Sequence, residues 1–555
     1  MVTCRLYLRT LIHWHEISLT QCMDKSLQYP IPVVDIFAGP GGLSEGFSAL
    51  RDKDNHQIFR ICISIEKDDD AHNTLLLRSF FRQFSRADVP DEYYQYLRGE
   101  IDRDTLFTNY PDQARKAEEE ACQLELGKDT REEARRKIEE AKGSADIWVL
   151  IGGPPCQAYS IVGRARMRGK EAADHEKFEK DERHYLYREY LRIIADHWPA
   201  VFVMENVKGL LSSKIRDEKI FHKMLSDLEA PADAAAEYDS VSKGERFFNY
   251  RIFSLVVPAS LIDDLDPEDM VIKSEDYGVP QARHRVILLG IRSDLLPITP
   301  DILRKKPEVT VSEVISGLPP LRSGLTKRKD FPDRWLKTLS SVTNRKWMSE
   351  FSINGHARLH RKIVSVVSHL SLPEHDLGDE FIEAEVDVER YRDWYLDRRI
   401  KGICNHSARM HMRKDLFRYL FAACYADVYE CSPKLCDFPK ELLPLHKNAR
   451  KAVKESMFSD RFRVQLWNRP ATTVTSHISK DGHYFIHPDP LQCRSFTVRE
   501  AARIQTFPDN YYFEGNRTSQ YQQVGNAVPP LLAKQIADIV HRFLQKAADQ
   551  MKEYR

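Results

Sequence analysis

Apolar residues fall first into short β-branched runs, each broken by glycine or proline and followed by a stretch of helical period. Residues 31–37 (IPVVDIF) run into Ala38-Gly39-Pro40-Gly41-Gly42, and residues 43–50 then have helical character. This predicts strand, glycine turn and helix. A second run, 58–65 (IFRICISI), ends at Glu66 and leads into a helix over 70–81. Residues 146–151 (DIWVLI) predict a third strand, which ends in Gly152-Gly153-Pro154-Pro155-Cys156. Residues 200–204 (AVFVM) predict a fourth, ending at Glu205-Asn206, and 286–291 (VILLGI) one more. Apolar strands that alternate with helices imply an α/β fold, a parallel doubly wound sheet with helices on both faces.

The rhythm is interrupted twice. Residues 111–142 are dense in Ala, Glu, Lys and Arg and predict an exposed helical insertion, bounded at 103–145, without chemistry of its own. After Ile291 the alternation stops, and the chain turns irregular, basic and aromatic until Arg461. It resumes over 496–507 and 521–543, where Gly525-Asn526-Ala527-Val528-Pro529-Pro530 precedes a last helix. The expected organisation is therefore an N-terminal extension (1–30), a first domain in two parts (31–295 and 462–555) and a second, smaller domain inserted between them (296–461). Met23 is an alternative start.

Composition narrows the class. Of 555 residues 42% are hydrophobic and 30% charged, as in soluble globular proteins of a few domains. No apolar stretch is long enough for a membrane span, and residues 1–29 mix Arg5, Arg9 and Glu16 into their apolar positions, unlike a secretory signal. Ten scattered cysteines, with only Cys431 and Cys436 close together, fit neither a disulfide framework nor a zinc site, so the expected setting is the cytoplasm. Net charge is zero, yet residues 291–470 carry 33 Lys and Arg against 24 Asp and Glu. A basic excess in the second domain suits a polyanionic partner as well as a solvated face.

Candidate chemistry clusters at the strand ends, where ligands bind in open α/β sheets. Gly39, Gly41 and Gly42 would let a ligand approach the backbone, and an acidic Glu66 closing the next strand can accept from ribose hydroxyls. A nucleoside-containing cofactor follows; a triphosphate is disfavoured because no GxxxxGK[ST] is present. Cys156 stands at the tip of a loop stiffened by two prolines, and a nucleophilic role for it requires nearby positive charge. Glu205 offers a carboxyl group, and Arg283 and Arg285 share one side of an extended segment. Cys404, His406 and His411 are read as unligated, with no metal site.

Taken together, Asp35-Ile-Phe-Ala-Gly-Pro-Gly-Gly-Leu-Ser, Gly153-Pro-Pro-Cys-Gln-Ala-Tyr-Ser, Glu205-Asn-Val-Lys-Gly, Gln281-Ala-Arg-His-Arg, Arg469-Pro-Ala-Thr-Thr and Gln523-Val-Gly-Asn-Ala-Val-Pro-Pro resemble, in order, the blocks of DNA cytosine-5 methyltransferases. The resemblance covers about 33–292 and 465–543. It implies a Rossmann-like S-adenosylmethionine-dependent domain with an inserted target-recognition domain. It implies that Cys156 attacks C6 of a cytosine flipped out of double-stranded DNA, and that C5 takes the methyl group. Glu205 would act at cytosine N3, and Arg283 and Arg285 near the carbonyl. Phe37, Ala38, Gly39, Gly41, Gly42, Glu66, Lys67, Pro155, Asn526, Ala527 and Val528 would form the cofactor site. The pattern also calls for an acidic residue near the adenine, for which Glu100 and Asp102 are nearest in sequence. Gln157, Ser160, Arg409, Arg413 and Lys414 would contact DNA, the last three within a basic stretch over 405–418. The setting implied is a bacterial restriction–modification or phage-defence system, with the enzyme a monomer and a restriction endonuclease as its partner. An RNA cytosine methyltransferase is a second reading, although its Cys-Phe-Thr signature is absent. A catalytically silent DNA-binding relative is a third.

Overall fold

The computed structural model describes residues 27–155, 183–212, 214–215, 218–236, 248–258, 266–326, 330–353, 356–444 and 460–553. Its centre is an eight-stranded sheet. The strands are β1 (Ile31–Ile36), β2 (Phe59–Glu66), β3 (Ala121–Gln123), β4 (Val149–Gly152), β5 (Val201–Val207), β6 (Tyr250–Phe253), β7 (Val271–Lys273) and β8 (His284–Arg292). Their order is β3-β2-β1-β4-β5-β8-β6, with β7 also paired to β8. The first five run parallel, and β8 is antiparallel to β5.

The expected strands are therefore present, and their mostly apolar character has a direct cause. Val33, Val149, Ile151, Val201 and Val203 point into one core, whereas Val34, Leu150, Phe202 and Met204 point into another on the opposite face. With both faces buried, both sets of alternating positions are mainly apolar, and such polar exceptions as Asp35 and Ser64 lie near the strand ends at Ser44. Helices α1 (Gly42–Ser48) and α9 (Pro530–Glu553) contribute to the first core. Helix α2 (Asp69–Arg82) follows β2 and begins at an Asp68 cap that accepts from Ala71 N.

Residues 111–142 differ from the expected insertion. They form α3 (Pro111–Glu120), the edge strand β3 and α4 (Arg131–Lys142), and Cys122, Leu126, Ala134 and Ile138 are buried in the second sheet core. The charged residues that suggested an exposed helix are the outer faces of two amphipathic helices. Helix α5 (Arg183–His197) completes that layer, through Leu191 and Ile194.

Beyond the sheet lie two further cores. One joins Val309–Leu321 and Ile382–Ala408 with Ala471–Ala527, which include α7 (Val498–Ile504) and α8 (Arg517–Asn526). The other is built on α6 (Arg413–Tyr429) with Trp335, Trp347 and Leu359, and it also takes Phe462, Val464 and Ile486. Both cores thus draw residues from each side of the expected 461/462 seam, because the chain returns through the smaller unit before α9 rejoins the sheet.

Candidate active site

The glycine turn is shaped by backbone that other residues resist. Gly41 sits at φ 85° in the left-handed region, where a side chain would be strained. Gly42 opens α1 with no room for a Cβ, which would lie 2.2 Å from the Val528 carbonyl oxygen. Two segments almost 500 residues apart in sequence are thereby brought into backbone contact, so Phe37, Ala38, Gly39 and Gly42 line one cleft with Asn526, Ala527 and Val528. Gly41 lies just behind the wall, against Leu75 and Tyr511.

Glu66, at the end of β2, anchors the opposite lip. Its carboxylate accepts from Gly39 N, Lys67 N and Asp68 N, each at 2.8 Å. Lys67 lines the same lip and pairs with Glu125 at 2.7 Å. Leu124, Glu125 and Leu126, just after β3, form the neighbouring wall. The sequence reading missed these three because they lie within the stretch read as an insertion. Glu100 and Asp102 are elsewhere: Glu100 pairs with Arg98 and Asp102 caps a helix through Thr105 N. Glu125 is therefore the acidic residue that the fold brings beside Glu66.

At the floor, β4 and β5 lie side by side and bring their ends together. A Cβ on Gly153 would stand 3.0 Å from Glu205 Oε2, so the loop leading into Pro154 and Pro155 starts against that carboxylate. Arg285, on antiparallel β8, sets its Nε 2.9 Å from Glu205 Oε1. Arg283 lines the cleft as well but is fully buried; its Nη1 donates to Val474 O at 2.8 Å and Gly525 O at 3.2 Å. Burial first, then the Arg285 charge, pull its guanidinium well below the usual arginine range. Arg283 thus clamps the returning chain to the sheet, and Arg285 is the guanidinium that faces Glu205. Thr475, Ser476, His477 and Lys480 complete the rim; their only sequence signal was the Arg469-Pro-Ala-Thr-Thr block that precedes them. Cys156, Gln157 and Ser160 lie outside the described residues.

The cleft measures about 760 Å³ and its chemistry suits S-adenosylmethionine. Phe37, Leu124 and Leu126 offer apolar surface for an adenine, and Glu66 offers carboxylate oxygens at the strand end for a ribose. Asp35, deeper in, has a buried Oδ1 without a hydrogen-bond partner, and burial pushes its carboxyl up to about 7. Carboxyl groups facing a cationic ligand fit the sulfonium and ammonium groups of that cofactor.

The basic stretch over 405–418 is mostly interior. Arg409 is buried, lies 4.0 Å from the centroid of the Tyr521 ring and donates to the Ile478 and Ser479 carbonyls. That corrects its expected place at a DNA phosphate, since its charge is absorbed by backbone oxygens and an aromatic face. Arg418 is likewise buried, bonded to Asp415 at 2.7 Å. Only Arg413 and Lys414, at the start of α6, are exposed among the three expected contacts. Cys404, His406 and His411 face separate partners. Cys404 Sγ is 3.6 Å from Leu97 O, His406 lies between Thr497 and Pro319 O at 2.9 Å each, and His411 stands 3.3 Å from Ser495 Oγ. Burial pushes the Cys404 thiol up to about 12 and His406 down to about 4, as expected of interior groups. No helix among the described residues is long and apolar enough to cross a membrane.

The profile described as C-5 cytosine-specific DNA methylase matches residues 121–231 and 267–542. The type II methyltransferase M.Bpa9945I of Bacillus paralicheniformis is 33% identical over 92% of this chain and 98% of its own length. The type II methyltransferase M.DdeI of Desulfomicrobium norvegicum is 26% identical over 72% of this chain and 74% of its own. The DNA (cytosine-5-)-methyltransferase M.ApeKI of Aeropyrum pernix is 26% identical over 72% and 82%. The family match spans β3, β5, β8 and the returning α8, the Bacillus relative spans nearly the whole chain, and on that ground the chain belongs to the C-5 cytosine-specific DNA methylase family.

Proposed function

We propose that this enzyme methylates carbon 5 of a cytosine flipped out of double-stranded DNA within one short recognition sequence, with Cys156 as nucleophile and S-adenosylmethionine as donor. The single observation that carries the reading is the Glu205–Arg285 pair, at 2.9 Å, packed beneath Gly153 in the loop that leads to Cys156. Cytosine C5 is a poor nucleophile until a thiolate adds at C6. The Cys156 sulfur forms that bond, and charge moves into the ring. A proton shared between Glu205 and N3 offsets that charge and returns to Glu205 when the ring is restored, and Arg285 holds the carboxyl group in place while offering N–H groups towards the pyrimidine carbonyl. When bound, S-adenosylmethionine would supply a methyl group to C5 by breaking its own S–CH3 bond, leaving S-adenosylhomocysteine. Loss of the C5 proton to a base and of the Cys156 sulfur from C6 restores the aromatic ring and the free enzyme.

Phe37, Gly39, Gly42, Glu66, Pro155, Asn526 and Val528 hold the cofactor, and Gln157, Ser160, Arg413 and Lys414 contact DNA. The protein works as a monomer, without a metal, in the cytoplasm. It protects host DNA against a restriction endonuclease that reads the same sequence or serves another form of phage defence; relatives named as type II methyltransferases support the restriction–modification setting.

Incubation with duplex DNA and S-adenosylmethionine, followed by base-resolution mapping of 5-methylcytosine, tests the reading. Methylation in one sequence context is expected, lost in Cys156→Ser, and 5-fluorocytosine at the target should trap a covalent adduct. Methylation retained by Cys156→Ser would overturn the nucleophile, and methylation of RNA alone would overturn the substrate.

A further inference from the structure

A second cleft, of about 1360 Å³, opens at the other end of α1. Helix α1 begins at Gly42 in the methyl-transfer cleft and ends at Ser48, roughly 10 Å further along at 1.5 Å per residue. Ser48 to Arg51 line the second cleft, together with the end of α2 through Arg86, the segment at Lys306, the ring of Trp394 and the first half of α9. Among the described residues none lines both clefts.

Its charges are unequal. Of the three acidic side chains on its wall, Glu45 is bound by Arg78, with Oε2 2.8 Å from Nε, Asp538 is bound by Arg542 at 3.1 Å, and Asp393 is exposed at the rim. Arg51, Arg86, Lys306 and Lys534 have no carboxylate oxygen within 4.0 Å among the described residues. Arg51 donates to Leu50 O at 3.1 Å, and Arg86 to Asp393 O and Leu396 O at 3.2 and 3.3 Å. Lys534 lies over the Trp394 ring, 5.3 Å from its centroid. Burial, then the charges of Arg51, Lys306 and Arg86, hold its ammonium below the usual lysine range.

Four cations from four segments, gathered in one concave site and none of them in ion-pair contact with a carboxylate among the described residues, repel one another in the empty protein. A multiply charged anion converts that repulsion into binding. Guanidinium forks and ammonium groups are the donors that match phosphate oxygens, and a cleft of this size admits a ligand larger than a single phosphate. We propose that this cleft binds a ligand carrying several linked phosphates, at a site separate from the methyl-transfer cleft. The shared chemistry has two sources, a free nucleoside polyphosphate or the phosphodiester backbone of a nucleic-acid strand.

Isothermal titration of the full chain with inorganic tripolyphosphate at low salt tests the proposal. One ion per chain is expected, with affinity about ten-fold weaker in Lys306→Glu. Lys306 is exposed, so that variant should fold and methylate a short duplex at the wild-type rate; Lys534→Met should weaken binding further. No binding, or equal affinity in both variants, overturns the site. Arg413→Ala/Lys414→Ala should leave tripolyphosphate affinity unchanged, and a loss there would move the ion to another surface and also overturn it. Displacement by ATP but not by a ten-nucleotide thymidine strand identifies the free nucleotide as source, and the reverse identifies the strand. Displacement by both supports the site for the backbone chemistry they share, and displacement by neither leaves an adventitious ion only, against the proposal.

Discussion

Glu205 and Arg285 belong to neighbouring antiparallel strands, yet they are not directly opposite each other. Glu205 pairs in register with Ile287, and Arg285, two residues away on the same face, reaches diagonally to set its Nε 2.9 Å from the carboxylate. Diagonal neighbours across a sheet lie within reach of long side chains, so this register places a guanidinium on the carboxylate without any loop. Both side chains are largely shielded from solvent, which makes the pair a rigid unit beneath the Gly153 loop.

Arg285→Ala should therefore act through Glu205. Removing either partner is expected to lower the methyl-transfer rate constant by about a hundred-fold, the range of a positioned acid or base. Arg285→Ala/Glu205→Gln should cost little more than the worse single change, because the two groups act as one. Single-turnover rates on a defined duplex measure this, and strictly multiplicative losses would show that the residues work independently.

Gly42→Ala should fail at the contact between the glycine turn and the returning chain. The new methyl group would meet Val528 O at 2.2 Å, so one of the two backbones must move. A loss of about 1–3 kcal/mol in urea unfolding is expected, typical of overpacking, with weaker S-adenosylmethionine binding by calorimetry. An alanine variant of unchanged stability and affinity would mean that the cleft is not held closed there.

Asp35 predicts a pH dependence of stability. Burial pushes its folded carboxyl up to about 7, whereas an unfolded aspartate ionises near 4. The native state therefore binds the extra proton between those values. Its contribution to stability is complete below about 4 and is lost as pH rises through 7. Asp35→Asn keeps an acceptor for the Ser44 hydroxyl and removes the titration. Between pH 5 and 8 the variant should gain roughly 3 kcal/mol relative to the parent in urea unfolding. Parallel stability curves over that range would remove Asp35 from the account.

The basic stretch at the start of α6 separates two roles. Arg413 and Lys414 are exposed, so replacing both with alanine should reduce the salt slope of DNA binding by about 1 to 2. Arg409 is spent on Ile478, Ser479 and Tyr521, so Arg409→Ala should lower thermal stability and leave the slope alone. The opposite pattern, a slope change for Arg409 only, would reverse the assignment.

Much of the parallel sheet was legible from the chain, because strands buried on both faces are apolar at most positions, and glycine turns at their ends break the run visibly. β3 was not. Ala121–Gln123 is a three-residue strand between charged helices, too short to show a period, so Leu124, Glu125 and Leu126 went unrecognised as cleft wall. Arg409 was misplaced for a related reason. A count of positive charge registers each arginine, and only packing shows whether backbone oxygens have already taken it.

The chain alone marked β1, β2, β4, β5 and β8, the turns at their ends and the residue types gathered there, since these depend on local periodicity and on glycine and proline geometry. Tertiary structure decided which groups act together: Glu205 with Arg285 rather than with Arg283, Glu125 beside Glu66, Val528 against Gly42, and four cations in a second cleft. Those relations join segments tens to hundreds of residues apart. Strand order, register and the return of α9 to the sheet set them, and no single stretch of chain contains that information.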